Sequence, residues 1–220
     1  MIGNIANYDF KFLRNSPRMV PVQGEYEGGL LMREKRVRYT TVAIALHWTI
    51  AALILSNIAV GFVMESLPQP LKGIALPFHF SCGMTVLGLT ALRVLWRLTH
   101  APPPLPAGLA RWERAAAHAA HGLLYVLMIV MPLIGWSIIS AHPPRAQGAA
   151  MIWGLLRLPA ISPISHLADA AQKTAHGLFV DAHTAGGWIL VGVLVLHVAG
   201  ALKHQWPGDH AVLPRMGIGS

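Results

Sequence analysis

Residues 181–200 read DAHTAGGWILVGVLVLHVAG, an apolar run of membrane-crossing length that carries two histidines, His183 and His197. Fourteen positions at about 1.5 Å each separate them by roughly 21 Å along a helix axis, and at about 100° per residue they stand roughly 40° apart around it. Both therefore share one helix face, near opposite ends of a rod that crosses a hydrocarbon layer of about 30 Å. Such a rod can hold two metal centres, one above the other, if other helices bring ligands to the same two depths.

The rest of the chain is suited to supplying those helices. Charged residues are only 12% of the 220 and hydrophobic ones 54%, against roughly 25% charged in soluble proteins, so lipid is the solvent. Four apolar stretches, at about 39–64, 74–98, 111–140 and 181–203, predict an all-α integral membrane four-helix bundle filling residues 39–206. Residues 1–38 form a basic tail with neither the apolar core nor the cleavage site of a signal peptide, and by composition it is expected to be largely disordered. A carboxyl tail covers 207–220. Pro102–Pro104 and Pro106 cannot continue a helix, and Pro132 with Gly135 predicts a kink in the third span. Residues 141–164 read as a loop whose apolar part, 151–156, lies at the interface; residues 165–180 read as a helical extension of the fourth span.

The sequence pI is about 10.3, which raises nucleic acid as a partner. Lys and Arg gather beside the spans instead, as membrane topology requires, and nucleic acid is set aside. With the amino terminus inside, thirteen of the seventeen basic residues fall on the inner side, leaving Lys72, Arg145, Arg157 and Lys173 outside. Both termini are therefore expected in the cytoplasm, in a bacterial inner membrane. The single cysteine, Cys82, excludes an intramolecular disulfide, and no CxxCH element exists; any haem is non-covalent.

Imidazole is the usual axial ligand of a b-type haem, and two histidines on one iron favour electron transfer over oxygen binding. His47 opens the first span on the inside, where His197 lies at the inner end of the fourth. His79 opens the second on the outside, level with His183. Antiparallel threading thus pairs His47 with His197 and His79 with His183, giving two non-covalent haem b sites. His118 and His121 also start a span on the inside and compete for the inner site on geometry. A lone imidazole near a helix end is ordinarily a hydrogen-bonded interfacial group, and the joint pattern of four is what points to ligation. His100, His142, His166, His204 and His210 are expected to be solvated. Trp48, Trp96, Trp112, Trp136, Trp188 and Trp206 read as interfacial anchors, and Arg93 and Arg97 as side chains snorkelling to the inner surface.

The stretches IALHW at 44–48, HFSCG at 79–83, RVLWR at 93–97, HAAHGLLY at 118–125, MPLIG at 131–135 and LHVAGALKH at 196–204, in this order and spacing, resemble the bacterial cytochrome b561 family. The resemblance implies a four-helix di-haem membrane cytochrome with axial ligands at His47, His79, His183 and His197. It moves His118 and His121 to supporting or substrate-binding roles. The family includes a superoxide oxidase that passes electrons to ubiquinone, so the implied flow runs from a periplasmic one-electron donor, superoxide or a redox protein, to a membrane quinone. Arg38, His118, His121, Lys203 and His204 are candidates to bond haem propionates or quinone oxygens. Lys72, Arg145, Arg157 and Lys173 are candidates to steer an anionic donor. Two other classes compete: a haem-bearing anchor serving a soluble partner, and a metal-ion transporter. The transporter would need acids within the spans, and Glu65, Glu113 and Asp181 all stand at span ends.

Overall fold

The computed structural model describes residues 38–105, 108–142, 150–205 and 212–218; the expected disordered tail lies outside them, apart from Arg38. Four long helices dominate: α1 (Thr41–Val63), α2 (Leu71–Thr99), α3 (Arg111–Ser140) and α5 (Asp169–Lys203). Between α3 and α5 come a two-stranded hairpin, β1 (Ala150–Ile152) and β2 (Leu156–Leu158), and one short turn, α4 (Ser162–Ser165). All four long helices are long and apolar enough to cross a membrane. Their backbone hydrogen bonds are closed within each helix, the condition for surviving in hydrocarbon.

Local chemistry sets the ends. Thr40 Oγ1 accepts the Ala43 N–H at 3.3 Å to cap α1. Glu113 Oε2 accepts the Ala110 N–H at 2.9 Å, closing the open start of α3. Pro132 sits inside α3 as the sequence places it, and Pro77 sits inside α2. In α2 the Ser81 hydroxyl donates back to the Pro77 carbonyl at 2.7 Å. The fourth span starts twelve residues before the predicted 181, because residues 169–180 continue one uninterrupted helix.

α1 packs along α2, α2 along α3 and α3 along α5. Ile50 and Ile54 of α1, Val86 of α2, and Leu124 and Met128 of α3 form a buried apolar layer, joined by Leu190, Val193 and Leu194 of α5. On α5 those three residues lie between His183 and His197. Most of the apolar surface of α1 and α5 is left uncovered by the rest of the protein, as suits helices of membrane-crossing length.

Two connections depart from expectation. The predicted interfacial loop contains an antiparallel hairpin in the register Ala150 with Leu158, Met151 with Arg157 and Ile152 with Leu156. Residues 212–218 pack on the bundle. A 3-10 turn, Leu213–Met216, accepts the Tyr39 N–H at the Arg215 carbonyl (3.2 Å) and the Trp48 indole N–H at the Met216 carbonyl (2.9 Å). Arg215 in turn donates to the Pro104 carbonyl at 2.7 Å.

A Cβ at Gly186 would collide with Met131 Sδ across the α3–α5 contact, whereas one at the exposed Gly177 would meet nothing within 4 Å. Gly186→Val is therefore expected to cost about 1–3 kcal/mol by overpacking and to lower the melting temperature in detergent. Gly177→Ala should hold or raise it, since Ala is the better helix former by roughly 1 kcal/mol.

Candidate functional site

The bundle brings the four spanning histidines together in two pairs, one toward each end. His47 on α1 and His197 on α5 have ring centroids 6.2 Å apart, and His79 on α2 and His183 on α5 have theirs 6.0 Å apart. Two metal–nitrogen bonds of about 2 Å, with each ring centre set back roughly 1 Å from its nitrogen, put opposed axial imidazoles about 6 Å apart. Both separations fit one iron between opposed rings. The interplanar angles of 65° and 71° are compatible, because rotation about the ligand axis leaves the separation unchanged.

At the His79/His183 end the helices hold the rings closely. His79 Nδ1 lies 3.1 Å from the Asn57 carbonyl of α1; a carbonyl only accepts, which assigns the proton to Nδ1 and the lone pair to Nε2, the nitrogen a metal would take. A Cβ at Gly61 would stand 3.1 Å from His79 Cε1, and one at Gly135 would stand 3.5 Å from His183 Cε1. Each ring thus lies over a glycine of a neighbouring helix. His183 Nδ1 is buried and faces the Met131 carbonyl, without a well-formed hydrogen bond. Gly61 and Asn57 escaped the sequence reading, since neither belongs to a spacing pattern that marks it.

The His47/His197 end is more polar. Arg93 does not snorkel to the surface: its Nη1 lies 2.9 Å from His47 Nδ1, and its guanidinium is 5.8 Å from the Tyr125 ring centre. Arg97, one turn on, is 5.9 Å from the same ring. Arginine is always a donor, so His47 Nδ1 accepts and its proton stands on Nε2. Presenting Nε2 to a metal therefore requires Arg93 to turn away and the proton to move to Nδ1. His121 lies 5.2 Å from the His197 ring. That is short of the opposed separation, so His121 is a flanking group in this geometry and His47 is the facing one.

A cavity of about 480 Å³ opens between α2 and α3 beside this pair, lined by Arg97, His118, His121 and Tyr125 together with apolar side chains including Val94 and Leu98. The remaining polar candidates do not join it. Lys203 Nζ pairs with Glu113 Oε1 at 2.8 Å, and His204 Nε2 lies 3.6 Å from the same oxygen. Arg38 sits by the carboxyl-terminal turn, its Nη2 within 3.8 Å of a Cβ built on Gly217.

Among the outer basic residues, Lys72 pairs with Glu65 at 2.5 Å, and Arg145 lies outside the described residues. Several residues read as solvated or interfacial have specific neighbours. His100 stacks on Trp96 at 3.8 Å, and His142 touches His176 with ring centroids 5.5 Å apart. Trp188 meets Phe62 across α1 and α5 at 4.8 Å. His210 and Trp206 lie outside the described residues.

The family profile of prokaryotic cytochrome b561 matches residues 38–219. A probable superoxide oxidase (CybB) of Yersinia pestis is 29% identical over 184 residues, covering 81% of this chain and 95% of that protein. Cytochrome b561 homolog 2 of Escherichia coli is 31% identical over 183 residues, covering 81% of this chain and 90% of that protein. A cytochrome b562 of Cereibacter sphaeroides is 30% identical over 139 residues, or 58% and 86% of the two chains. With a match from the start of α1 to the carboxyl-terminal turn, the chain belongs to the prokaryotic cytochrome b561 family, as a multi-pass bacterial membrane protein that binds b-type haem and transfers electrons.

Proposed function

We propose that this chain is a di-haem cytochrome of the bacterial inner membrane, with both termini cytoplasmic, that passes electrons from a periplasmic one-electron donor, superoxide foremost, to ubiquinone. The observation that carries this reading is the two facing imidazole pairs, 6.2 and 6.0 Å between ring centres, at opposite ends of one bundle with an apolar layer between them. Thirteen of seventeen basic residues on one side support the orientation. The resemblance to a protein named as a probable superoxide oxidase supports the donor.

His47 with His197, and His79 with His183, would each hold a haem b, which would supply reversible one-electron exchange. The chain does the rest. Asn57 fixes the His79 tautomer, and Gly61 and Gly135 let the two outer rings lie close against helix backbones. On the donor side, the exposed Arg157 and Lys173 attract an anion by steering, an effect that fades with salt. Lys72 contributes less, because Glu65 neutralises it.

On the acceptor side, the open cavity beside His197 has side chains suited to a quinone ring. Val94 and Leu98 offer apolar walls, while Arg97, His118, His121 and Tyr125 offer hydrogen-bond donors for the two carbonyl oxygens. Reduction of one quinone to the quinol takes two electrons and two protons. Oxidation of two superoxide anions to two dioxygen molecules supplies the electrons, and His118 and His121 are placed to pass protons from the cytoplasmic side.

Pyridine haemochrome analysis of purified protein is expected to give two b haems per chain, with His183→Ala and His197→Ala each retaining one and His121→Ala retaining both. A single haem in the wild type, or loss of haem from His121→Ala, would overturn the ligand assignment. Gly61→Leu should lose the His79/His183 haem alone, whereas Gly88→Leu, where a Cβ meets nothing within 4 Å, should keep both.

For the acceptor, Arg97→Leu combined with His118→Ala should slow quinone reduction at least tenfold. That corresponds to about 1.4 kcal/mol or more, the scale of one or two lost hydrogen bonds. Haem content and dithionite reduction should be unchanged. Unaltered quinone kinetics in this variant would place the acceptor elsewhere.

A further inference from the structure

We infer that the β1–β2 hairpin is a re-entrant element whose tip is seated among the acyl chains of the leaflet at the His79/His183 end. Depth is the first argument. α1 ends at Val63, and Gly61 lies against His79, so His79 marks the level at which α1 reaches the membrane surface. Ser81 and Thr85 stand two and six residues further along α2, about 3 and 9 Å deeper. The hairpin tip is fastened to these two residues: the Trp153 N–H donates to Ser81 Oγ and its indole N–H to Thr85 Oγ1, each at 2.9 Å. Phe78 packs edge-on against the same indole, with ring centroids 5.7 Å apart.

The turn is the second argument. Trp153 and Gly154 both have positive φ, 53° and 67°, and the Leu155 N–H closes on the Ile152 carbonyl at 3.0 Å, a primed turn within the three-residue loop that the register leaves between Ile152 and Leu156. Asn or Gly is favoured at the first of these positions, and a bulky side chain there costs on the order of 1 kcal/mol. The two hydrogen bonds from Trp153 to α2 offset that cost. They also satisfy polar hydrogens that hydrocarbon would leave bare.

The third argument is what the tip displays. Leu155 is 87% exposed and Leu156 62%, with Trp153 and Met151 also exposed. The one charge in the hairpin, Arg157, pairs in register with Met151, back from the tip toward the membrane surface, where its side chain can reach the headgroups. An exposed leucine pair at the tip of a two-stranded hairpin is an aggregation hazard in water and an ordinary contact in lipid.

Site-directed spin labelling of the full chain in liposomes tests this. In a Cys82→Ala background, Leu155→Cys is compared with Leu55→Cys, midway along the lipid-facing side of α1, and with Lys173→Cys, on the first turns of α5. Leu155 is highly exposed and tolerates the label, and retained haem absorbance verifies the fold. The ratio of collision with oxygen to collision with a water-soluble nickel chelate is expected to be several-fold higher at 155 than at 173, approaching the value at 55. A ratio matching that at 173 would show a water-exposed hairpin and overturn the inference. So would a label shielded from both reagents with a short label-to-label distance between chains, since a second copy would then be the occupant.

Discussion

Hydrocarbon offers no hydrogen-bond partner, and this constraint arranges most of what the chain does. A helix satisfies its own backbone across a bilayer, so each residue of a spanning helix acquires a fixed depth from its position in sequence. His47, His79, His183 and His197 consequently cannot choose their partners freely. Once α1, α2 and α5 are threaded up and down, residues at equal depth come to face one another, His47 opposite His197 with His121 beside it, and His79 opposite His183. The carboxyl-terminal turn, by bonding Tyr39 and Trp48 at the start of α1, holds that helix at its depth and so protects the alignment of His47 with His197.

The two histidine pairs are positioned by different chemistry. At one end, close backbone approach does the work: Gly61 and Gly135 remove the side chains that would displace the rings, and the Asn57 carbonyl orients His79. At the other, the half-buried Arg93 reaches His47 and the Tyr125 ring, and the exposed Arg97 lies by the same ring. A neutral imidazole and an aromatic face compensate a half-buried cation only in part, which makes this end receptive to groups that carry or acquire negative charge.

The bundle, and which histidine rings come to face each other, were legible because both follow from one-dimensional quantities: apolar length, a fourteen-residue interval and the alternation of threading. The side chains around the histidines were not. Gly61 sits eighteen positions before His79, and nothing in that interval announces that α1 and α2 cross there. Arg93 read as a snorkelling cation because its place at a helix end is all that sequence displays; its turn toward His47 depends on the crossing of α1 and α2. The hairpin was hidden for a more local reason. Trp–Gly is an unusual pair for a primed turn, and the hydroxyls that stabilise it, on Ser81 and Thr85, are about seventy residues away.

The two ends of the bundle differ in the side chains they collect. Ile50, Ile54, Val86, Leu124 and Met128 form an apolar layer between the two histidine pairs. Hydrogen-bonding side chains collect at one end, where His118, His121, Arg97 and Tyr125 line the cavity beside His197. On the proposed reading, an acceptor that gains protons along with electrons would be served at the His47/His197 end, where those side chains stand, and a donor that only loses an electron at the His79/His183 end.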